Sequence, residues 1–179
     1  LKDYYLWKYV AGAAPYLSDD FTNASFEFNK VMSGVQEQRP RWKRALGATE
    51  SAMGEAVGQL YVDRYFPASS KEYMEGLVEN LRDALAQHIM NLEWMSPETK
   101  VQAMRKLYNI TVKIGYPDKW KDYTTLKIDP AKSYWENIVE ANAWYTSDNI
   151  SKLGKPVDKD EWHMSPQTVN AYYNPTTNE

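Results

Sequence analysis

Cysteine is absent from the 179 residues, and histidine occurs only twice, as His88 and His163. Without cysteine there is no disulfide framework, no thiol nucleophile and no cysteine-ligated zinc. The compartment stays open, because secreted proteins without disulfides are common in bacteria. Scarce histidine removes the usual zinc-hydrolase signature of two histidines four apart on a helix with a glutamate between them. Neither charge sign dominates: 21 Lys and Arg face 24 Asp and Glu, a formal net charge of −3. Proteins that coat nucleic acid or lie on membranes need a dense basic field, which this composition lacks. No apolar run reaches the length of about 18 residues that a membrane span requires, and the mean hydropathy is −0.68. A glycine-rich phosphate loop, a Gly-x-Ser-x-Gly elbow, internal repeats and low-complexity tracts are also missing.

Aromatic residues, in contrast, are abundant: 7 Trp, 14 Tyr and 4 Phe. Large rings serve a core or an interface. A compact fold of this mass exposes about 9,000 Å² and buries roughly 70% of the unfolded chain's surface, so a substantial core in one or two domains is expected.

From Leu1 to about Tyr116 the patterning is helical. Trp42, Leu46, Thr49, Met53, Ala56, Leu60 and Arg64 recur at three- and four-residue steps between Pro40 and Pro67, the stripe of one helix burying a face. Gly54 and Gly58 weaken that helix, and close approach by another helix is the plainest reason for them. Ser69 and Glu72 predict a capping box for the next helix, whose stripe is Tyr73, Leu77, Leu81, Leu85, His88 and Leu92. Ser96 as N-cap and Pro97 at the first helical position open a third, which Gly115-Tyr116-Pro117-Asp118 closes. Asp129-Pro130 restarts a helix carrying Tyr134, Ile138 and Ala141. Thr168 to Tyr173 then alternates, with Val169, Ala171 and Tyr173 on one side, and predicts the one strand.

Few residues suggest chemistry. His88 on an apolar stripe reads as a core or boundary histidine, and His163 beside Trp162 as a loop residue. Asn23-Ala-Ser, Asn109-Ile-Thr and Asn149-Ile-Ser match acceptor sequons at a frequency near chance. The strand is the candidate binding element, because an exposed strand offers N–H and C=O groups to an extended peptide. Asn170 adds a side-chain donor and an acceptor that suit a peptide unit. The plainer reading of the same residues is a strand inside a sheet with Asn170 closing a turn.

Several motifs occur together in a recognisable order: Trp42-Lys43-Arg44, Leu60-Tyr61-Val62 with Phe66, and Trp94-Met95 followed by Thr99-Lys100, Ala103 and Lys106-Leu107. Ile114-Gly115-Tyr116-Pro117-Asp118, Lys155-Pro156-Val157-Asp158 with Glu161-Trp162, and Val169-Asn170-Ala171-Tyr172-Tyr173 with Asn178-Glu179 complete the set. In this order they resemble the neprilysin and endothelin-converting-enzyme family of zinc metalloendopeptidases, including bacterial endopeptidase O, over essentially the whole chain. The resemblance implies a mainly α chain: residues 1–114 as the C-terminal part of a helical cap domain, residues 115–179 as the beginning of a thermolysin-like α+β catalytic domain. It implies that Asn170 and Ala171 bind the backbone of peptide substrates. The zinc-binding His-Glu-x-x-His helix and a further Glu ligand follow the strand in that family, so this chain holds no zinc ligand and no catalytic residue of its own.

The resemblance further implies an oligopeptide-hydrolysing parent in an extracytoplasmic setting, periplasmic, secreted or membrane-anchored, with the remainder of its own catalytic domain as partner. Animal members carry a cysteine after Trp-Lys-Arg where this chain has Ala45, which points to a bacterial source. The start at Leu1 inside a helical pattern and the end at Asn178-Glu179 read as a fragment, inactive on its own. A non-catalytic helical module that binds a partner protein through aromatic surface is the competing expectation.

Overall fold

A computed structural model describes residues 1–179. The chain is mainly α. Six helices follow in order: α1 Lys2–Ala13, α2 Asp19–Ser33, α3 Arg41–Tyr65, α4 Ala68–Asn91, α5 Pro97–Tyr108 and α6 Tyr134–Ser151, with one 3-10 turn at Ala14–Tyr16.

Local chemistry explains several helix ends. Ser96 Oγ accepts from the Thr99 amide at 3.3 Å and Pro97 opens α5, as its sequence predicts. Gly34 ends α2 at φ 71°, a left-handed position that glycine adopts without a Cβ penalty. The capping box expected at Ser69 and Glu72 does not form. Pro67 is extended (φ −64°, ψ 150°) and its carbonyl already accepts from the Ser70 amide at 2.9 Å, so Ser69 lies inside the first turn and cannot cap it. The box forms instead at α6, where Ser133 Oγ accepts from the Glu136 amide (3.2 Å) and Glu136 Oε2 accepts from the Ser133 amide (2.8 Å). Asp129-Pro130 therefore does not start α6; Asp129 Oδ1 accepts from the Ala131 amide at 2.8 Å and shapes a turn ahead of it. Nor is α3 one uninterrupted helix, because Met53 is non-helical at φ −148°, ψ 47°.

That break coincides with a division of the chain into two compact units, Leu1–Met53 with Asp122–Leu153, and Gly54–Lys121 with Gly154–Glu179. Each unit is thus built from two stretches of sequence. Aromatic rings hold the first together. Tyr16 lies 5.4 Å from Tyr134 and 5.8 Å from Trp135, while Tyr9 meets Trp135 edge-on at 5.6 Å. Trp144 stacks on Tyr123 at 5.4 Å and donates its indole N–H to Thr125 Oγ1 at 2.8 Å. In the second unit α4 packs on α5, and Arg82 of α4 donates to the terminal α5 carbonyls of Leu107 and Tyr108 at 3.5 and 3.4 Å, satisfying acceptors that a helix end leaves open.

The expected large core is absent. The chain exposes 13707 Å², and its buried apolar residues are Ala13, Ala14, Ala86, Leu107 and Ala141. The α4 stripe stays open, with Tyr73 72% and Leu81 61% exposed. An amphipathic stripe is buried only where another surface covers it, and within this chain α5 covers little of it.

Candidate functional site

Segment 168–173 forms no strand, which corrects the expectation from its alternation. A strand needs a hydrogen-bond ladder to a neighbouring segment, and the backbone bonds of residues 168–173 stay local. The Asn170 amide donates to Thr168 O at 3.1 Å, and the Ala171 amide donates to Asn170 Oδ1 at 2.8 Å. Such local bonds compete with ladder formation. The carbonyls of residues 169–173 accept no hydrogen bond, and the amides of Val169, Tyr172 and Tyr173 donate none. Every residue from Thr168 to Tyr173 is exposed. The carbonyls of Asn170 and Ala171 are therefore unused while their amides are bonded locally, and the Asn170 side-chain amide is free to donate.

Both ends of this run are held by the second unit. Upstream, Gln167 Nε2 donates to Gly54 O at 3.2 Å, and Pro166 packs on Gly58 so closely that a Cβ there would meet its ring at 2.7 Å. The partner of the two α3 glycines is thus a loop rather than the helix expected; their spacing signals close approach but not what approaches. Downstream, the Asn174 amide donates to Glu179 O at 2.7 Å and the Asn178 amide to Asn174 O at 2.9 Å, closing a tight loop. Asn178, at φ 57°, ties that loop to the end of α5: its carbonyl accepts from the Thr111 amide at 2.9 Å and its side chain donates to Lys106 O at 3.1 Å. Tyr173 donates its hydroxyl to Asn178 Oδ1 at 2.9 Å and lies under Lys106 Nζ, 5.6 Å from the ring centre.

Glu179 is the charged centre of the downstream anchor. Its side chain is 2% exposed and pairs with Lys113, itself 10% exposed, while His163 Nε2 stands 3.6 Å from Glu179 Oε1. Burial alone raises this carboxyl, but the hydrogen bond and charge of Lys113 and the charge of His163 oppose it, and the net effect holds it below the usual glutamate range. Lys113 also donates to Glu161 O at 2.7 Å. This cluster joins residues too far apart in sequence to be read as a motif.

The Gly-Tyr-Pro-Asp block serves structure. Gly115 has φ 74° and lies against the Phe66 ring, so a side chain there is excluded on both counts. Lys71 Nζ donates to Tyr116 O at 2.9 Å, pairs with Asp118 at 2.7 Å and sits 4.6 Å above the Tyr116 ring. His88 is exposed in the last turn of α4, not on a covered face, because the stripe it belongs to is open. His163 lies in a loop. No group of three or more His, Cys, Asp or Glu side chains gathers anywhere in the chain, so the donors present do not fit a zinc ion. No helix is long and apolar enough to cross a membrane.

The family model described as peptidase family M13 matches residues 1–117. The chain belongs to peptidase family M13. This M13 chain is 37% identical over 180 residues to the neutral endopeptidase of Lactobacillus helveticus, a match covering all of the chain and 28% of that relative. Neprilysin-11 of Caenorhabditis elegans is 34% identical, across 99% of the chain and 22% of the relative. Among solved structures, zinc metalloprotease 1 of Mycobacterium tuberculosis in the open state superposes with a TM-score of 0.80 at 44% identity, over 94% of this chain and 26% of that one. PepO from Lactobacillus rhamnosis gives a TM-score of 0.85 at 31% identity, over 92% and 26%. The M13 chain therefore spans about a quarter of the length of these relatives.

Proposed function

We propose that this M13 chain is a segment of a zinc-dependent endopeptidase that hydrolyses oligopeptides. In this reading residues 1–114 supply the end of a helical cap, and residues 115–179 begin the catalytic domain. Segment 168–173 holds the substrate backbone, with Asn170 and Ala171 making the contacts. One observation carries the reading: a fully exposed run whose carbonyls from Val169 to Tyr173 accept no bond, pinned at both ends, presents acceptors to which a peptide can add. Such holding matters because a fixed, oriented peptide bond enters reaction with much of its entropic cost already met.

The zinc ion and its ligands belong to the remainder of the enzyme, which works in an extracytoplasmic setting. Membership in a peptidase family speaks against a non-catalytic interaction module. The direct test is to read the coding frame beyond Glu179: a His-Glu-x-x-His helix downstream supports the proposal, and a longer frame that lacks it contradicts it.

A further inference from the structure

We infer that Lys113, acting through the buried carboxylate of Glu179, is a positioning residue for the peptide-holding segment; this rests on the reading that Asn170 and Ala171 hold substrate. The segment has no ladder to keep it straight, so its course depends on its two anchors. The upstream anchor is a proline on a glycine with one long hydrogen bond, from Gln167 to Gly54 at 3.2 Å. Downstream, beside the bonds of Asn178 to Thr111 and Lys106, the chain is held by a buried charge pair. Lys113 Nζ bridges Glu179 Oε2 and the carbonyl of Glu161, joining the two ends of the 161–179 stretch to the residues that follow α5. The loop from Asn174 to Glu179 is closed by its own backbone bonds, so fixing Glu179 fixes Asn174, and Asn174 follows Tyr173 directly.

Both side chains of the pair are nearly excluded from water. Removing one leaves a buried, uncompensated charge that draws in water or moves out, and the loop shifts with it. His163, the other side chain near the Glu179 carboxylate, is more than half exposed and stands farther off, so it does not replace Lys113. The pair touches no substrate; its effect on the reaction passes through the angle and reach of the Asn170 backbone.

The test uses the complete enzyme carrying this segment, with a double-variant cycle on kcat/KM for several unrelated peptides. Lys113→Met is expected to lower kcat/KM by about 10-fold, with zinc content unchanged. The same change in an Asn170→Ala background should cost no more than about 2-fold, because the segment no longer has the contact to position. Lys113→Arg restores most of the activity, and Glu179→Gln reproduces the loss while keeping the side-chain shape. Losses from Lys113→Met and Asn170→Ala that multiply in full overturn the positioning role and leave the Asn170 reading standing. An unchanged kcat/KM in Asn170→Ala alone overturns the underlying reading, and this inference with it. If Lys113→Met does not fold, Glu179→Gln carries the cycle with the same two outcomes.

Discussion

The Cδ of Pro166 lies 2.7 Å from the point a Cβ on Gly58 would occupy, so α3 and the approach to segment 168–173 meet without room for one methyl group. Gly58→Ala should destabilise the chain by about 1–3 kcal/mol of overpacking, only partly offset by the ~1 kcal/mol that alanine gains in a helix. Gly76 on α4 faces open space, so Gly76→Ala should stabilise by about 0.5–1 kcal/mol. Urea unfolding of the two variants should therefore shift in opposite directions, and equal shifts of one sign would contradict the contact.

Ser133 and Ser69 make a second contrast. Ser133→Ala removes a formed capping box and should cost about 1 kcal/mol, whereas Ser69→Ala removes nothing that caps α4 and should stay within about 0.5 kcal/mol. Thermal melts followed by far-ultraviolet circular dichroism decide between them.

Glu179 predicts an acid-side signature. Its carboxyl is held below the ordinary value of 4.5 in the folded chain. The contribution is therefore present above the unfolded value and disappears as pH falls through the folded one. The stability difference between the parent chain and Glu179→Gln should be constant above about pH 5 and shrink steadily below about pH 4.5. A difference that stays constant across that range contradicts the buried pair.

Hydrogen exchange maps the open segment. The amides of Val169, Tyr172 and Tyr173, which donate to nothing, should exchange at the rate of unstructured chain, while those of Thr111 and Asn178 are protected by their bonds across the anchor. Uniform protection from Thr168 to Glu179 would mean that the segment finds a ladder partner.

What could be read from the sequence was what local chemistry decides. Ser96 and Pro97 mark the start of α5 because the cap is completed within four residues. Ser133 and Glu136 spell the same kind of signal, yet Asp129-Pro130 just upstream looks equally like a start, and only the turn around Asp129 separates them. The alternation at 168–173 suggests a strand but cannot report the ladder partner that a strand needs. The helical stripes likewise announce faces to be covered without saying whether these 179 residues cover them. Lys113 and Glu179 lie 66 positions apart, and nothing in their neighbourhoods distinguishes them from other charged residues until the loop after Asn174 brings them together. The motif order that points to the family is a different kind of information, carried by residues spread over the whole chain rather than by any one local signal.

The central claim is that Asn170 holds substrate rather than structure, and the steady-state kinetics of Asn170→Ala in the complete enzyme test it most directly. The side chain is exposed and, within the chain, bonds only the next amide, so melting temperature and zinc content should barely change. The account predicts that kcat/KM falls by roughly 10- to 100-fold, equivalent to about 1.4–2.7 kcal/mol, on unrelated peptides alike. Unchanged kinetics on several peptides, or a loss of activity that tracks a loss of folded protein, would contradict it.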